Sequence, residues 1–126
     1  MNDGHSAAWD QQWEKAAESY SAAVQVFPDN PKALNNLALA QHQLARFEEA
    51  LGTYKRVAKL SPTDPVPFEH IAQISERLGD LKSAVEAAMR AADLYVNLRE
   101  VEKAIENWVY VTTLNPEHVT AHSRLA

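Results

Sequence analysis

The 126-residue chain contains no cysteine, so disulfides and thiolate-based metal sites are excluded outright. Glycine occurs only as Gly4, Gly52 and Gly79, too scattered for a loop whose backbone amides cradle phosphate. No apolar stretch approaches the roughly 20 residues a helix needs to cross a bilayer. Residues 1–9 lack the basic start and apolar run of a secretory leader. Positive charge is short as well: 12 Lys and Arg stand against 17 Asp and Glu, a formal net charge of −5. With a pI near 5.5 the chain has no long-range attraction for a phosphate backbone. Neither a membrane nor a nucleic acid is an expected partner, and the expected compartment is the cytoplasm.

Catalytic chemistry is also missing from the letters. Of His5, His42, His70, His118 and His122, only His118 and His122 stand four apart, and no Asp or Glu follows at a spacing that completes a metal site. Ser123 adjoins His122 without an orienting acid or an oxyanion donor placed in sequence. Glu48, Glu49 and the acids around residues 99–103 read as solvated helix faces paired with bases. No catalytic residue, metal or cofactor is expected, and the chain is not read as an enzyme.

What the chain does have is a period. Ala16, Ala50 and Ala84 recur at a constant interval of 34 residues. Three positions before each stands Trp13, Phe47 or Leu81; four after comes Tyr20, Tyr54 or Ala88; seven after comes Ala23, Val57 or Ala91. Spacings of three, four and seven put these residues on one helix face. Self-similarity at this length indicates a stacked helix-turn-helix unit, an architecture that binds polypeptides far more often than it transforms small molecules.

The pattern resembles the tetratricopeptide repeat. Residues 31–64 are the fullest match, with Leu34, Leu37, Ala38, Phe47, Ala50, Tyr54, Val57 and Pro62 in frame. The stretch departs at Gln41, where the family usually has Tyr, and at Ala45-Arg46, which replaces a glycine-containing turn. The resemblance implies an all-α fold, a right-handed α-solenoid of antiparallel helix pairs with about seven to eight helices. One array is expected over residues 1–126: a partial first unit (1–30), a full unit (31–64), a third unit with a long second helix (65–98), the second helix of a fourth unit (99–116) and the start of a fifth (117–126).

Punctuation sets the helix limits. Pro31 and Pro65 suit a first helical position, and Asp29-Asn30 and Thr63-Asp64 offer capping oxygens before them. Helices are expected at about 3–10, 12–26, 31–44, 47–60, 65–78, 81–98, 100–114 and from 117 on. The period breaks after Ala84, because the next in-frame alanine, Ala104, follows only 20 residues later. The break predicts one long helix over 81–98 packing against both of its neighbours. The alanines Ala84, Ala87, Ala88, Ala91 and Ala92 let helices approach closely, and Trp108 compensates in size.

Function is then expected on a surface. The resemblance implies that the outward face of each first helix lines a concave groove, here Lys32, Asn35, Leu39, His42 and Gln43, followed by Val66, Glu69, Gln73, Glu76 and Arg77. Chaperone-binding members clamp a terminal carboxylate with Lys, Asn and Arg at fixed positions. In that frame this chain has Met1, His5, Asn36, Val66 and His70, of which only Asn36 agrees, so such a clamp is not expected. The expected partner is a protein or peptide, bound by a non-catalytic scaffold. The alternative is self-association of an assembly element, in which the uncapped C-terminal end meets another copy. A helical RNA reader, with a basic groove and a 35-residue period, does not fit. The ending also suggests a piece of a longer repeat protein, since solenoids normally finish in a polar capping helix.

Overall fold

Several helices start where a side chain accepts from their orphan N–H groups. Asn30 Oδ1 accepts from the N–H groups of Lys32 at 2.9 Å and Ala33 at 3.3 Å. Asp64 Oδ1 accepts from Val66 at 3.0 Å, and Asp80 Oδ1 from Ser83 at 3.1 Å. Pro31 and Pro65 open their helices in the first turn, where the missing N–H has nothing to pair with. The computed structural model describes the backbone of residues 3–126 and the side chains of residues 11–126. Met1, invoked in the clamp comparison, and the side chain of His5 lie outside the described residues.

The described residues form seven helices and no strand: α1 (Asp3–Val26), α2 (Pro31–Gln43), α3 (Phe47–Leu60), α4 (Pro65–Arg77), α5 (Leu81–Asn97), α6 (Val101–Leu114) and α7 (Val119–Leu125). One expectation is corrected. Residues 3–10 and 12–26 are not two helices but a single 24-residue helix. The register places a turn at Asp10-Gln11-Gln12, where Leu44-Ala45-Arg46 turns 34 residues later. The earlier stretch has neither glycine nor proline, and glutamine is a good helix former, so nothing stops the helix there.

Two compact units are present, Met1–Leu60 and Ser61–Ala126. In the first, α2 packs against both α1 and α3. Its core holds Val24, Leu34, Leu37 and Val57, with Tyr20 and Ala33 partly buried beside them. Gln41, the departure from the tyrosine of the repeat, is used locally: its Oε1 lies 2.7 Å from the Thr53 hydroxyl and ties α2 to α3. Arg46 pairs with Glu14, and Arg56 donates to the Pro28 carbonyl at 3.0 Å, so α3 is also fastened to α1 and the turn after it.

In the second unit, α5 packs against both α4 and α6, and α7 rests on α6. The 17-residue α5 runs without interruption and exceeds its neighbours of 13 and 14 residues, so the expected long helix is present, although α6 follows α4 at a near-regular interval. Ala91, Ala92, Tyr95, Ala104 and Trp108 form one cluster, joined by Phe68, Met89 and Leu125. The large indole thus sits among alanines, which is the size compensation the sequence implies.

Three helices end in the same way. The N–H of Arg46 bonds to the Gln41 carbonyl, that of Asp80 to Ser75, and that of Glu100 to Tyr95, each at 2.8–2.9 Å. Such a closure needs a left-handed residue just before it. That residue is Gly79 (φ 85°) in one turn, but Ala45 (φ 60°) and Arg99 (φ 64°) in the others. Ala45→Gly and Arg99→Gly are therefore expected to raise stability by about 0.5–1 kcal/mol each, whereas Gly79→Ala lowers it by about 1 kcal/mol. A Cβ at Gly79 would meet nothing within 4 Å, so the cost lies in the backbone alone. Urea midpoints of the three variants check the signs. The same measurement ranks the core: Tyr54, 2% exposed, should cost about 3 kcal/mol on replacement by Ala, and Leu39, 41% exposed, well under 1 kcal/mol.

Candidate partner-binding face

On α2 the apolar stripe Leu34, Leu37 and Ala38 is buried, which leaves Lys32, Leu39 and Gln43 exposed on the opposite side. Asn35, Asn36 and His42 are half-buried at the flanks, and the His42 ring meets Phe47 edge-on at 5.6 Å. On α4 the same periodicity buries Ile71, Ala72 and Ser75 and exposes Val66, Gln73, Glu76 and Arg77. Glu69 and His70 lie half-buried on its two sides.

Two of the α4 residues are committed to packing. Both oxygens of the Glu69 carboxylate are used: the Tyr95 hydroxyl of α5 donates to Oε1 at 2.8 Å, and Asn107 Nδ2 of α6 donates to Oε2 at 3.0 Å. The second amide hydrogen of Asn107 goes to the Lys103 carbonyl at 2.9 Å. Lys103 Nζ lies 5.6 Å from the centre of the Tyr95 ring, a cation over an aromatic face. One turn along, the Tyr110 hydroxyl donates to Glu76 Oε1 at 2.6 Å and lies 3.3 Å from the Ala72 carbonyl. Hydrogen bonds to a carboxylate are the strong kind, so this seam fixes α6 beside α4.

The seam leaves a recess of about 160 Å³ between α4 and α6, lined by Glu69, Ala72, Gln73, Glu106, Asn107 and Tyr110. Val66 on α4 and Val109 on α6 are exposed, at 44% and 48%. Sequence reasoning missed the α6 contribution because it takes Val101–Leu114 for the second helix of a unit. Packed on α5, bonded to α4 and followed by α7, this helix instead opens the next pair. The misreading has a local cause. Leu98-Arg99-Glu100 closes α5 with the same bonds that Leu78-Gly79-Asp80 uses between the two helices of one unit, and Pro116 follows α6 as Pro62 follows α3. The usable signal was helix spacing, since α6 starts 36 residues after α4 and sets Asn107 and Val111 where Ile71 and Ser75 stand.

Elsewhere, His118 caps α7 by accepting from the Ala121 N–H at Nδ1, 3.1 Å. No group of three or more His, Asp or Glu side chains gathers as a metal site among the described residues. Within the same residues no helix is long and apolar enough to cross a membrane.

Tetratricopeptide repeat models match residues 4–65 and 68–95. The chain belongs to the tetratricopeptide repeat family. It is 25% identical over 118 residues to the human Protein O-mannosyl-transferase TMTC3, a match that takes in 94% of this chain and 12% of that protein. The chain therefore spans about an eighth of the length of that relative. PcrH, solved in complex with the chaperone binding region of PopD, superposes with a TM-score of 0.76 at 20% identity, over 90% of this chain and 86% of PcrH. The type III secretion translocator chaperone SycD of Yersinia enterocolitica gives 0.76 at 16% identity, over 87% of this chain and 77% of SycD. At these identities the two structures speak for the fold.

Burial, then the bond to Glu69 and that carboxylate's charge, push the Tyr95 hydroxyl well above the ordinary tyrosine value of 10. Burial and Glu76 do the same to Tyr110. Both phenols stay neutral in the folded state at pH values where the unfolded chain has lost the proton. Their contribution is complete below pH 10 and is lost as the pH climbs from there toward the folded-state values. Denaturant midpoints should fall steeply over that range, and Tyr95→Phe should flatten the slope.

Proposed function

We propose that this chain is a non-catalytic protein-interaction scaffold and that the outward faces of its first-position helices bind a peptide or protein segment. The observation that carries this reading is the polar recess between α4 and α6, lined by Gln73, Glu106, Asn107 and Tyr110, on helices that also expose Val66 and Val109. Apolar patches with a few fixed polar groups are how helical grooves hold an extended or helical ligand. Glu106 and Gln73 add acceptors to the recess, which suits a segment bringing a donor, such as a lysine, arginine or amide side chain, into it. PcrH, captured with a binding region of PopD, is a protein of this fold that holds another polypeptide, and it supports the same use here. The exposed Lys32, Leu39 and Gln43 of α2 are a further candidate contact.

Panning a displayed peptide library against the chain tests the proposal. Peptides should be enriched that bind with micromolar affinity. Gln73→Trp, which fills the recess, together with Val66→Ala should weaken them roughly tenfold, about 1.4 kcal/mol. Lys82→Ala, on the exposed side of α5, should leave them unchanged. No enrichment, or peptides indifferent to both α4 substitutions, would reject the face. Leu39→Asp, measured separately, reports whether α2 takes part.

A further inference from the structure

The first unit holds a recess of its own. It measures about 390 Å³ and lies between α1 and α3, with Leu37 and Gln41 of α2 at its base. Those two residues stand about 200° around α2 from Leu39 and Gln43, so the recess lies on the opposite side of the helix from the candidate face. Small side chains open it: α1 contributes Ala17, Ser21 and Ala22, and no large residue of α3 answers them as Trp108 answers the alanines of α5. Glu18 on α1 and Glu49 on α3 both line it, and neither carboxylate has an ion pair or a side-chain hydrogen bond among the described residues. Arg46 is the one base among the lining residues, and its guanidinium is held by Glu14. Lys15 of α1 and Lys55, Arg56 and Lys59 of α3 do not line it, and Arg56 is bonded to the Pro28 carbonyl. Two uncompensated negative charges thus stand over the buried methyl groups of Ala17 and Leu37. Donors are present as well. The Thr53 hydroxyl occupies Gln41 Oε1, which leaves the Gln41 amide nitrogen for another partner, and Gln25 adds a second amide.

We infer that this recess binds an extended segment of a partner polypeptide, which inserts one arginine or lysine side chain. The aliphatic stem of that side chain lies on Ala17, Ala22 and Leu37, and its charged head is taken by Glu18 and Glu49. The requirement for a base follows from the two unpaired carboxylates. The requirement for a polypeptide follows from the donors, because Gln41, Gln25 and Arg46 call for carbonyl acceptors, which a peptide backbone carries and a free amine lacks. Since α2 already packs on both α1 and α3, the recess is not a flank left bare at an end of the array. None of its residues belongs to the α4 and α6 recess or to the exposed Lys32, Leu39 and Gln43 of α2, so neither site depends on the other.

The test is an amide-shift NMR titration of the full chain carrying Gln73→Trp, which closes the other recess. The titrant is a capped pentapeptide with one arginine among alanines. Its glutamate counterpart and agmatine, a guanidinium amine without a carbonyl, are the comparisons. The arginine peptide should shift the amides of Ser21, Ala22 and Gln25 on α1 and of Glu49 on α3, and the glutamate peptide should not. Agmatine carries more positive charge than the capped peptide, so simple attraction predicts that it binds more tightly, whereas the missing carbonyls should make it roughly tenfold weaker. Ala22→Trp fills the recess without altering charge, and Glu18→Gln with Glu49→Gln removes both carboxylates; each should weaken the arginine peptide roughly tenfold or more. Glu48→Gln makes a similar change of charge outside the recess and should leave binding as it was. Circular dichroism melts confirm that the variants fold. No shift on α1, shifts confined to α4 and α6, equal binding of the two peptides, agmatine binding as tightly as the peptide, or binding that survives either recess variant overturns the proposal. So does self-association that Ala22→Trp abolishes, because a second copy then fills the recess.

Discussion

The alanine face of α5 is the constraint on which the second unit depends. Ala84, Ala88, Ala91 and Ala92 are fully buried and Ala87 nearly so, which removes side-chain bulk from one face of a 17-residue helix. Two helices, α4 and α6, can then approach the same helix at short range, and interiors tolerate no compensating void. The indole of Trp108 and the ring of Phe68 supply the missing volume from the partners. Only when α4 and α6 share α5 do their own side chains come within reach of one another, and the Glu69 carboxylate then finds donors on both α5 and α6.

That arrangement determines what is left for function. A helix buried along one stripe and tied along a flank keeps only its remaining surface free. On α4 this surface contains Val66, Gln73 and Arg77, while Glu69 and Glu76 are bonded to α5 and α6. The acids keep a dual character: they fasten the helices and line or border the recess. Replacing them tests packing as much as binding, so the informative substitutions lie at Val66 and Gln73.

The first unit reaches the same grammar through different side chains. Thr53 and Gln41 join α2 to α3, and Arg46 and Arg56 fasten α3 to α1 and the turn that follows it. Both units close a helix pair with a left-handed residue, but only Gly79 is suited to that backbone. Ala45 and Arg99 hold the conformation because the carbonyls at Gln41 and Tyr95 would otherwise lack their closing bonds.

Most of the helices, their apolar stripes and the family are legible in residue spacing alone. A period of 34 at Ala16, Ala50 and Ala84, with caps at Asn30 and Asp64, depends on intrahelical geometry and reads directly from spacing. The continuous α5 was legible for the same reason. Tertiary structure decided the rest. Whether residues 10–12 turn or continue depends on a balance of local preference that register alone does not resolve, and the chain continues. Whether α6 opens or closes a pair depends on which helices it touches, and no local feature encodes that, since the turn at Arg99 serves either role. The candidate face was visible only in part. Lys32, Leu39, Val66 and Gln73 follow from helical phase, but the commitment of Glu69 and Glu76 arises from contacts between residues as much as 38 positions apart. Helical phase is a one-dimensional property, whereas partner choice among helices is settled by packing.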